Sequence, residues 1–225
     1  MKRLPFTFVG ILLALFTVLV FTYSLVSGPV SLPAYGSLLA AADALLGTEL
    51  SPFNQVERVI VAELRLPRSL LAFLVGALLA QCGAVMQGLF RNPLADPGII
   101  GVSAGAALGA VVAIALLPAS WMDWSLSVGA FLGGLAATSF VYGLSRSPSG
   151  TSIIVLLLAG VAIAALAGAV IGVMSYFVDD QQLRDISVWQ MGSLSGASLA
   201  SVGLCLLTLA LTTLFFQRYA FALNA

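Results

Sequence analysis

The sequence predicts an all-α membrane protein, a polytopic bundle of about six transmembrane helices forming one permease-sized domain over residues 1–225. Hydrophobic residues make up 60% of the chain and charged residues only 8%, whereas soluble domains carry about 25% charged residues. The mean hydropathy is +1.10. The charged residues lie at the edges of apolar runs, and each run is long enough for one span of about 20 residues.

Trimmed to their apolar centres, these runs predict six helices, over residues 6–25, 70–90, 99–117, 125–144, 153–177 and 199–216. The first run follows Met1-Lys2-Arg3, as in a secretory signal peptide. Its length of about 20 residues exceeds the about 7–15 residues of a signal-peptide apolar region, so we expect an uncleaved span. The longest polar connection, residues 27–63, is expected to hold short interfacial helices.

The placement of lysine and arginine sets the predicted orientation, with both termini inside. The outer segments hold four basic residues and eight acids, while the inner segments hold a single acid, Asp96. The basic residues predicted inside are Lys2, Arg3, Arg91, Arg146 and Arg218. The bias in basic residues is therefore five to four toward the inside.

Several chemistries are excluded by what the sequence lacks. It has no histidine, and none of the predicted spans contains Asp, Glu, Lys or Arg, the charged residues on which ion-coupled transport usually depends at membrane depth. No metal site, cofactor site, nucleic-acid-binding patch or catalytic constellation is apparent, which disfavours an intramembrane enzyme and a secondary transporter. Cys82 and Cys205 lie within apolar runs, where buried hydrophobic roles are expected. Uphill transport by this chain would need energy from another protein.

Small residues recur at four-residue spacing in three of the predicted spans. They are Gly101, Gly105 and Gly109 in the third span and Gly160, Ala164, Gly168 and Gly172 in the fifth; in the second span Gly76, Ala80 and Gly83 share one helix face. Such stripes let helix backbones approach closely in a membrane, so helix packing is the first interpretation. Lining of a solute pathway is the alternative, and it suits the second span best because that stripe ends in Gln87.

One stretch, from Arg65 to Gly109, carries a family resemblance. It opens with R-L-P-R, continues with G-A-L-L-A-Q-C-G-A-V-M-Q, and then has N-P-L-A-D-P-G-I-I-G-V-S-A-G-A. This ordered run closely resembles the permease subunits of ABC importers for iron-siderophores, haem and vitamin B12.

The resemblance implies a multi-pass permease of the cell inner membrane that moves an iron complex, either haem or a ferric siderophore. It implies no catalytic site in this chain, because ATP is hydrolysed in a separate cytoplasmic ATP-binding subunit. An extracytoplasmic substrate-binding protein would deliver the substrate to a homodimer of permeases embedded in lipid. Two alternatives stay open: a vitamin B12 importer permease, and a truncated, non-transporting membrane protein that has lost coupling to the ATPase.

The resemblance also implies roles for particular residues. Arg65 and Arg68, at the outer mouth of the second span, would meet glutamates of the binding protein; snorkelling to the membrane surface is the alternative. Asn92 and Leu94 would narrow the inner end of the pathway, and Thr151 and Ser152 lie near a second inner constriction.

The similarity extends from the first span to Asn224. Members of this family have about ten spans of the usual length, so the chain resembles the N-terminal two-thirds of a permease. The segment that couples to the ATPase would follow in the remaining third.

Overall fold

The computed structural model describes residues 5–148 and 150–224 and consists of helices with one short hairpin. The helices are α1 (Phe6–Val26), α2 (Ala34–Leu46), α3 (Gln55–Val59), α4 (Leu66–Phe90), α5 (Val102–Leu116), α6 (Met122–Ser145), α7 (Ile153–Phe177), α8 (Asp180–Met191) and α9 (Leu199–Asn224). The hairpin pairs β1 (Arg146–Ser147) with β2 (Gly150–Thr151). Within the described residues, five helical stretches are long and apolar enough to cross a membrane. The all-α polytopic fold is therefore confirmed; Lys2 and Arg3, used for the orientation, lie outside the described residues.

The helix around the second predicted span is longer than predicted at its outer end. Helical backbone runs without interruption from Gln55 to Phe90, 36 residues, because a π-helical turn at Ile60–Arg65 joins α3 to α4. Proline lacks an N–H and clashes with the preceding turn of a regular α-helix, and Pro67 follows directly after this widened turn. At about 1.5 Å per residue the stretch measures about 54 Å, more than a hydrocarbon core of about 30 Å.

The helix of the third predicted span is shorter than predicted. Instead of 99–117 it covers Val102–Leu116, 15 residues. The residues before it form a 3-10 turn, Pro97–Ile100, and Gly101 has a left-handed φ of 82° that separates the turn from α5. In contrast, α9 continues beyond the predicted residue 216 to Asn224. The predicted segments for α1, α6 and α7 agree with the structure to within one turn at each end.

Contacts divide the chain into two compact units, so the single domain predicted for residues 1–225 stays a prediction. The first unit comprises Met1–Ala80 and Leu194–Ala220. Its core lies where α2, the chain before α3 and the π-helical turn pack against the end of α1 and the start of α4, and its buried side chains include Leu25, Phe53 and Leu66. Gly36 is needed here, since an added Cβ would overlap the ring of Phe53. The expected short helices of segment 27–63 are thus α2 and α3.

The second unit, Gln81–Ser193 with Phe221–Ala225, is organised around the α5–α6 pair. A Cβ added at Gly105 or Gly109 would overlap the backbone of Gly133 or Gly129 on α6, so the two helices touch backbone to backbone, as glycine stripes allow in membranes. α7 packs on both helices and α8 packs on α5. In a second buried cluster, Val111 and Ile114 of α5 meet Ile186 of α8.

The two cysteines do not have the predicted burial. Cys82 is exposed and Cys205 is partly exposed on the surface of its helix. Both lie on helices whose side chains are largely unburied, so neither belongs to a core of the described residues.

The turn after α2 is held by one carboxylate. Oδ1 of Asp43 accepts hydrogen bonds from the Thr48 hydroxyl at 2.6 Å and the Leu50 N–H at 2.9 Å, while Oδ2 accepts from the Ser51 N–H at 2.7 Å. These bonds favour the charged form. The hydrogen bond from Thr48 first, then those from Leu50 and Ser51 and the charge of Arg58, lower the pKa of Asp43 below its ordinary value of 3.8.

We predict that the stability of this turn depends on pH through Asp43. A lowered carboxyl pKa contributes stability that is fully present above pH 3.8 and is lost as the pH falls through the lowered value. The protection of the Leu50 and Ser51 amides against hydrogen exchange should therefore be constant near neutral pH and fall in acid. In Asp43→Asn the protection should be low at every pH. Equal protection in both proteins at neutral pH would contradict this account.

Candidate functional site

The guanidinium of Arg65 caps the C-terminal end of α1. Its Nη1 donates to the carbonyl oxygens of Leu25 at 3.1 Å and Val26 at 2.8 Å, and its Nη2 donates to the carbonyl of Val30. The last carbonyls of a helix have no partner within the helix and carry partial negative charge. A buried cation that donates to several of them therefore ties α1 and the chain that follows it to the start of α4.

The chain after α1 lies directly on this guanidinium. A Cβ added at Gly28 would lie 2.9 Å from Cζ of Arg65, so any larger residue there would require the guanidinium to shift. Arg65 is consequently 8% exposed. A second link, between the hydroxyls of Ser24 and Ser69 at 2.7 Å, joins the same two helices.

Arg65 and Arg68 do not share an environment, although their spacing predicts a common helix face. Arg68 is exposed, and its Nε donates to the carbonyl of Leu194 at a long 3.3 Å. The guanidinium of Arg65 is instead occupied inside the protein, so in this arrangement it presents no fork to an outside carboxylate. Docking of a binding protein stays a prediction for this pair, and Arg68 is the one whose exposure suits it.

At the other end of α4, the inner loop (Arg91–Gly101) begins with a tight helix cap. The Arg91 N–H donates to the Gly88 carbonyl at 3.3 Å and the Asn92 N–H to the Gln87 carbonyl at 3.2 Å. This pair of bonds is the Schellman pattern, in which the first residue beyond the helix adopts a left-handed conformation, usually as glycine. Here that residue is Arg91, with a φ of 48°.

Asn92 fixes the next part of the inner loop through its side chain. Its Oδ1 accepts from the Leu94 N–H at 2.9 Å, and its carbonyl accepts from the Ala95 N–H at 3.1 Å. An asparagine that hydrogen-bonds two residues ahead in this way closes an Asx turn. The turn leaves Leu94 84% exposed, so a rigid loop presents a bulky apolar side chain.

The far end of the inner loop is fixed by Asp96 and by α7. The carboxylate of Asp96 accepts from the Gly98 N–H at 2.7 Å and so caps the 3-10 turn. That turn packs against α7 at Gly160, where an added Cβ would overlap the carbonyl oxygen of Ile99 and lie 3.0 Å from Cα of Ile100. This contact explains why α5 starts late, because the chain turns against α7 before the helix begins.

The glycine stripes divide according to these contacts. Gly105, Gly109 and Gly160 lie where another backbone passes closely, and a Cβ on Gly101 would reach Ile163 at 3.5 Å. At Gly168 and Gly172 no described atom lies within 4 Å of an added Cβ. A packing role for Gly168 and Gly172 therefore stays a prediction, because no described neighbour contacts them closely.

The remaining predicted pathway residues have local roles. Thr151 pairs with Arg146 in the hairpin, and Ser152 accepts from the Val155 N–H at 3.4 Å as the N-cap of α7. Gln87 is exposed near the end of α4. The structure gives each of them a position on the second unit, and their part in a pathway stays a prediction.

Two features that the sequence analysis missed are capping boxes, at Asn54 with Glu57 and at Asp179 with Gln182. In each, the first residue accepts from the backbone of the fourth, whose side chain accepts in return. The spacings N-x-x-E and D-x-x-Q are visible in the sequence and could have marked the starts of α3 and α8.

Long apolar helices joined by capped turns define a polytopic α-helical membrane protein. Residues 8–225 match the model of the FecCD transport family. The chain belongs to this family. The predicted family resemblance and the localisation to the cell inner membrane are thereby confirmed, together with the multi-pass arrangement.

Curated relatives match part of the chain. The hemin transport system permease protein HmuU of Yersinia pestis is 53% identical over 137 residues, 60% of this chain and 41% of the relative. A vitamin B12 import system permease protein of Vibrio vulnificus is 41% identical over 152 residues, 66% of this chain and 46% of the relative. The matched part of the chain thus corresponds to less than half the length of each of these two relatives.

A solved structure of an inward-facing, metal-chelate type ABC transporter resembles the whole fold. The TM-score is 0.76 at 29% sequence identity, and the match covers 94% of this chain and 62% of that one.

We predict that Arg65 and Arg68 differ sharply in their effect on stability. Arg65→Ala removes hydrogen bonds from a charged donor, each worth about 1.5–3 kcal/mol, and leaves the end of α1 open. Arg68→Ala, at an exposed position, should change stability by no more than about 0.5 kcal/mol. Thermal unfolding of the purified protein in detergent measures both. Equal effects of the two substitutions would refute the assignment of Arg65 as an internal tie.

We also predict that two glycines of α7 respond oppositely to the same substitution. Gly160→Ala forces the 3-10 turn away from α7, and such overpacking costs about 1–3 kcal/mol. Gly168→Ala meets open space, and replacing a helical glycine by alanine there should be neutral or stabilise by up to about 1 kcal/mol. Unfolding curves of both variants decide the matter, and a Gly160→Ala protein as stable as Gly168→Ala would count against the packed turn.

Proposed function

We propose that this chain is part of the permease subunit of an ABC importer that moves an iron complex, either haem or a ferric siderophore, across the cell inner membrane. The observation that carries the proposal is the inner loop: a segment held at both ends, by the cap of α4 and by Gly160 of α7, with Leu94 projecting from it. Such a loop is suited to narrowing a pathway, because a rigid backbone holds an apolar side chain in one place.

The iron complex is favoured over other cargoes by similarity. The relative with 53% identity is named a hemin transport permease, and a relative from Helicobacter pylori, 41% identical over 153 residues, is named a probable iron chelatin transport permease. A vitamin B12 permease at 41% identity supports the second candidate, a vitamin B12 importer. All three cargoes are bulky chelates, so one pathway shape suits each of them.

The partners follow from the energy source. The predicted spans hold no Asp, Glu, Lys, Arg or His, so the work of transport would come from a separate cytoplasmic ATP-binding subunit. A substrate-binding protein outside would deliver the chelate, and Arg68 is the exposed cation at the outer mouth that would meet one of its carboxylates, since guanidinium and carboxylate pair bidentately. Two permease copies in the lipid bilayer would form the pathway between them, and they would tilt to open it alternately to each side.

The experiment that tests the cargo is uptake into proteoliposomes. The full-length permease would be reconstituted with its ATP-binding subunit and supplied outside with binding protein loaded with haem, a ferric siderophore or cobalamin. We expect ATP-driven uptake of haem or the siderophore and slower uptake of cobalamin. Faster cobalamin uptake would favour the second candidate, and no uptake of any of the three would favour a protein that has lost transport.

We predict that shortening Leu94 loosens the inner constriction. Leu94→Ala should raise the ATP-independent leak of cargo from loaded vesicles by roughly fivefold, the factor that about 1 kcal/mol gives in an equilibrium between closed and open states. Leu79→Ala is the matched control, because Leu79 is also exposed but lies in the middle of α4. Equal leak rates in the two variants would remove Leu94 from the pathway.

A further inference from the structure

The amphipathic helix α8 begins with an unusual use of one side chain. Asp179 is its N-cap, with Oδ1 accepting from the Gln182 N–H at 2.8 Å, and Oε1 of Gln182 accepts in return from the Asp179 N–H at 3.2 Å. This reciprocal pair satisfies two backbone donors at the start of α8. It uses only the oxygen end of the Gln182 amide.

The nitrogen end of the same amide reaches a different helix. Nε2 of Gln182 donates to the carbonyl of Ile114 at 3.1 Å and is 3.5 Å from the carbonyl of Ala115. Both carbonyls belong to the last turn of α5, where no intrahelical N–H follows to pair with them. One amide thus caps the N-terminus of α8 and the C-terminus of α5 together.

Apolar contact one turn further along reinforces this link. Ile186 of α8 is 2% exposed and packs on Val111 and Ile114 of α5. The covalent connection of α8 to α7, by contrast, is the extended pair Val178 and Asp179. The hydrogen bond and the buried cluster therefore tie α8 to α5, with Ile171 and Met174 of α7 packed against the same cluster.

The position of α8 also sets the size of a cleft in the second unit. The cleft has a volume of about 600 Å³, and Asp185, Val188 and Trp189 of α8 face Ile114 of α5 and Leu126 of α6 across it. By the predicted orientation it lies on the outer side. A movement of α8 away from the end of α5 would change the distance between the two walls of this cleft.

We propose that Gln182 is a positioning residue that holds α8 to the outer end of α5, so that α8 moves with α5 and keeps the width of the outer cleft. The tie itself is independent of what the chain transports. Its consequence for transport, a fixed outer wall beside a pathway, rests on the function proposed above.

The test replaces the amide NH2 group of Gln182 by a carboxylate oxygen. In Gln182→Glu the side chain keeps an oxygen for the Asp179 N–H, and glutamate is the usual partner in a capping box, so α8 itself stays helical. The Nε2 donor becomes a charged oxygen that faces two carbonyl oxygens, and repulsion should release α8 from α5. Gln190→Glu is the matched control, with the same change at an exposed position of the same helix.

The readout is the distance between spin labels in the full chain in lipid. Labels would be placed at Leu116→Cys and Val188→Cys for α5 and α8, and at Leu116→Cys and Val128→Cys for α5 and α6, with Cys82 and Cys205 replaced by serine. All three label positions are exposed. We expect Gln182→Glu to lengthen and broaden the 116–188 distance while the 116–128 distance stays unchanged, and Gln190→Glu to alter neither.

Acidification gives a second readout that a general loss of packing would not produce. Below a carboxyl pKa of about 4.3, the introduced carboxyl carries a proton and can donate again, so the 116–188 distance should return toward that of the parent protein at the same pH. An unchanged 116–188 distance in Gln182→Glu overturns the proposal. So does broadening at both pairs that acid fails to reverse. The distances need neither cargo nor ATP, so they test the tie whether or not the chain transports an iron complex.

Discussion

The main constraint on this fold is that backbone groups at helix ends must find partners where water is scarce. In a hydrocarbon medium an unpaired N–H or C=O costs several kcal/mol, and a chain of many apolar helices has many such ends. Three side chains provide partners at four of them. Arg65 serves the end of α1, Gln182 serves the end of α5 and the start of α8, and Asp96 serves the turn before α5. The same bonds set where the loops between the helices lie.

Close approach of backbones is the second constraint, and it depends on the first. Once the inner loop is capped at Asn92 and Asp96, its 3-10 turn must rest on a neighbour, and Gly160 of α7 provides the space. The shortness of α5 follows, since residues that hydropathy assigns to a helix are used in the turn. Hydrogen bonds therefore set the shape of the inner loop, and Gly160 sets how closely the loop approaches α7.

The sequence alone predicts the helical class and the positions of most spans, because charged residues fall at the edges of apolar runs and hydropathy measures that directly. It does not predict the start of α5, since Gly101 looks like a member of a packing stripe and is in fact the left-handed residue that ends a turn. It also places Arg65 at the surface, because spacing along a helix cannot show that the end of α1 folds back over the side chain. Gly160 and Gly168 both follow a Leu-Ala pair in the same helix, and only the tertiary neighbours distinguish their roles. The role of Gln182 was visible locally as a capping box, but its second bond depends on α5.

The central proposal about function is that transport energy would come from a partner that hydrolyses ATP, since the spans predicted from the sequence hold no Asp, Glu, Lys, Arg or His. The most direct measurement is uptake of the loaded chelate into proteoliposomes in which ATP and ion gradients are varied separately. The account predicts uptake that requires ATP and the ATP-binding subunit and persists after an ionophore collapses every ion gradient. Uptake driven by a proton or sodium gradient without ATP would contradict it.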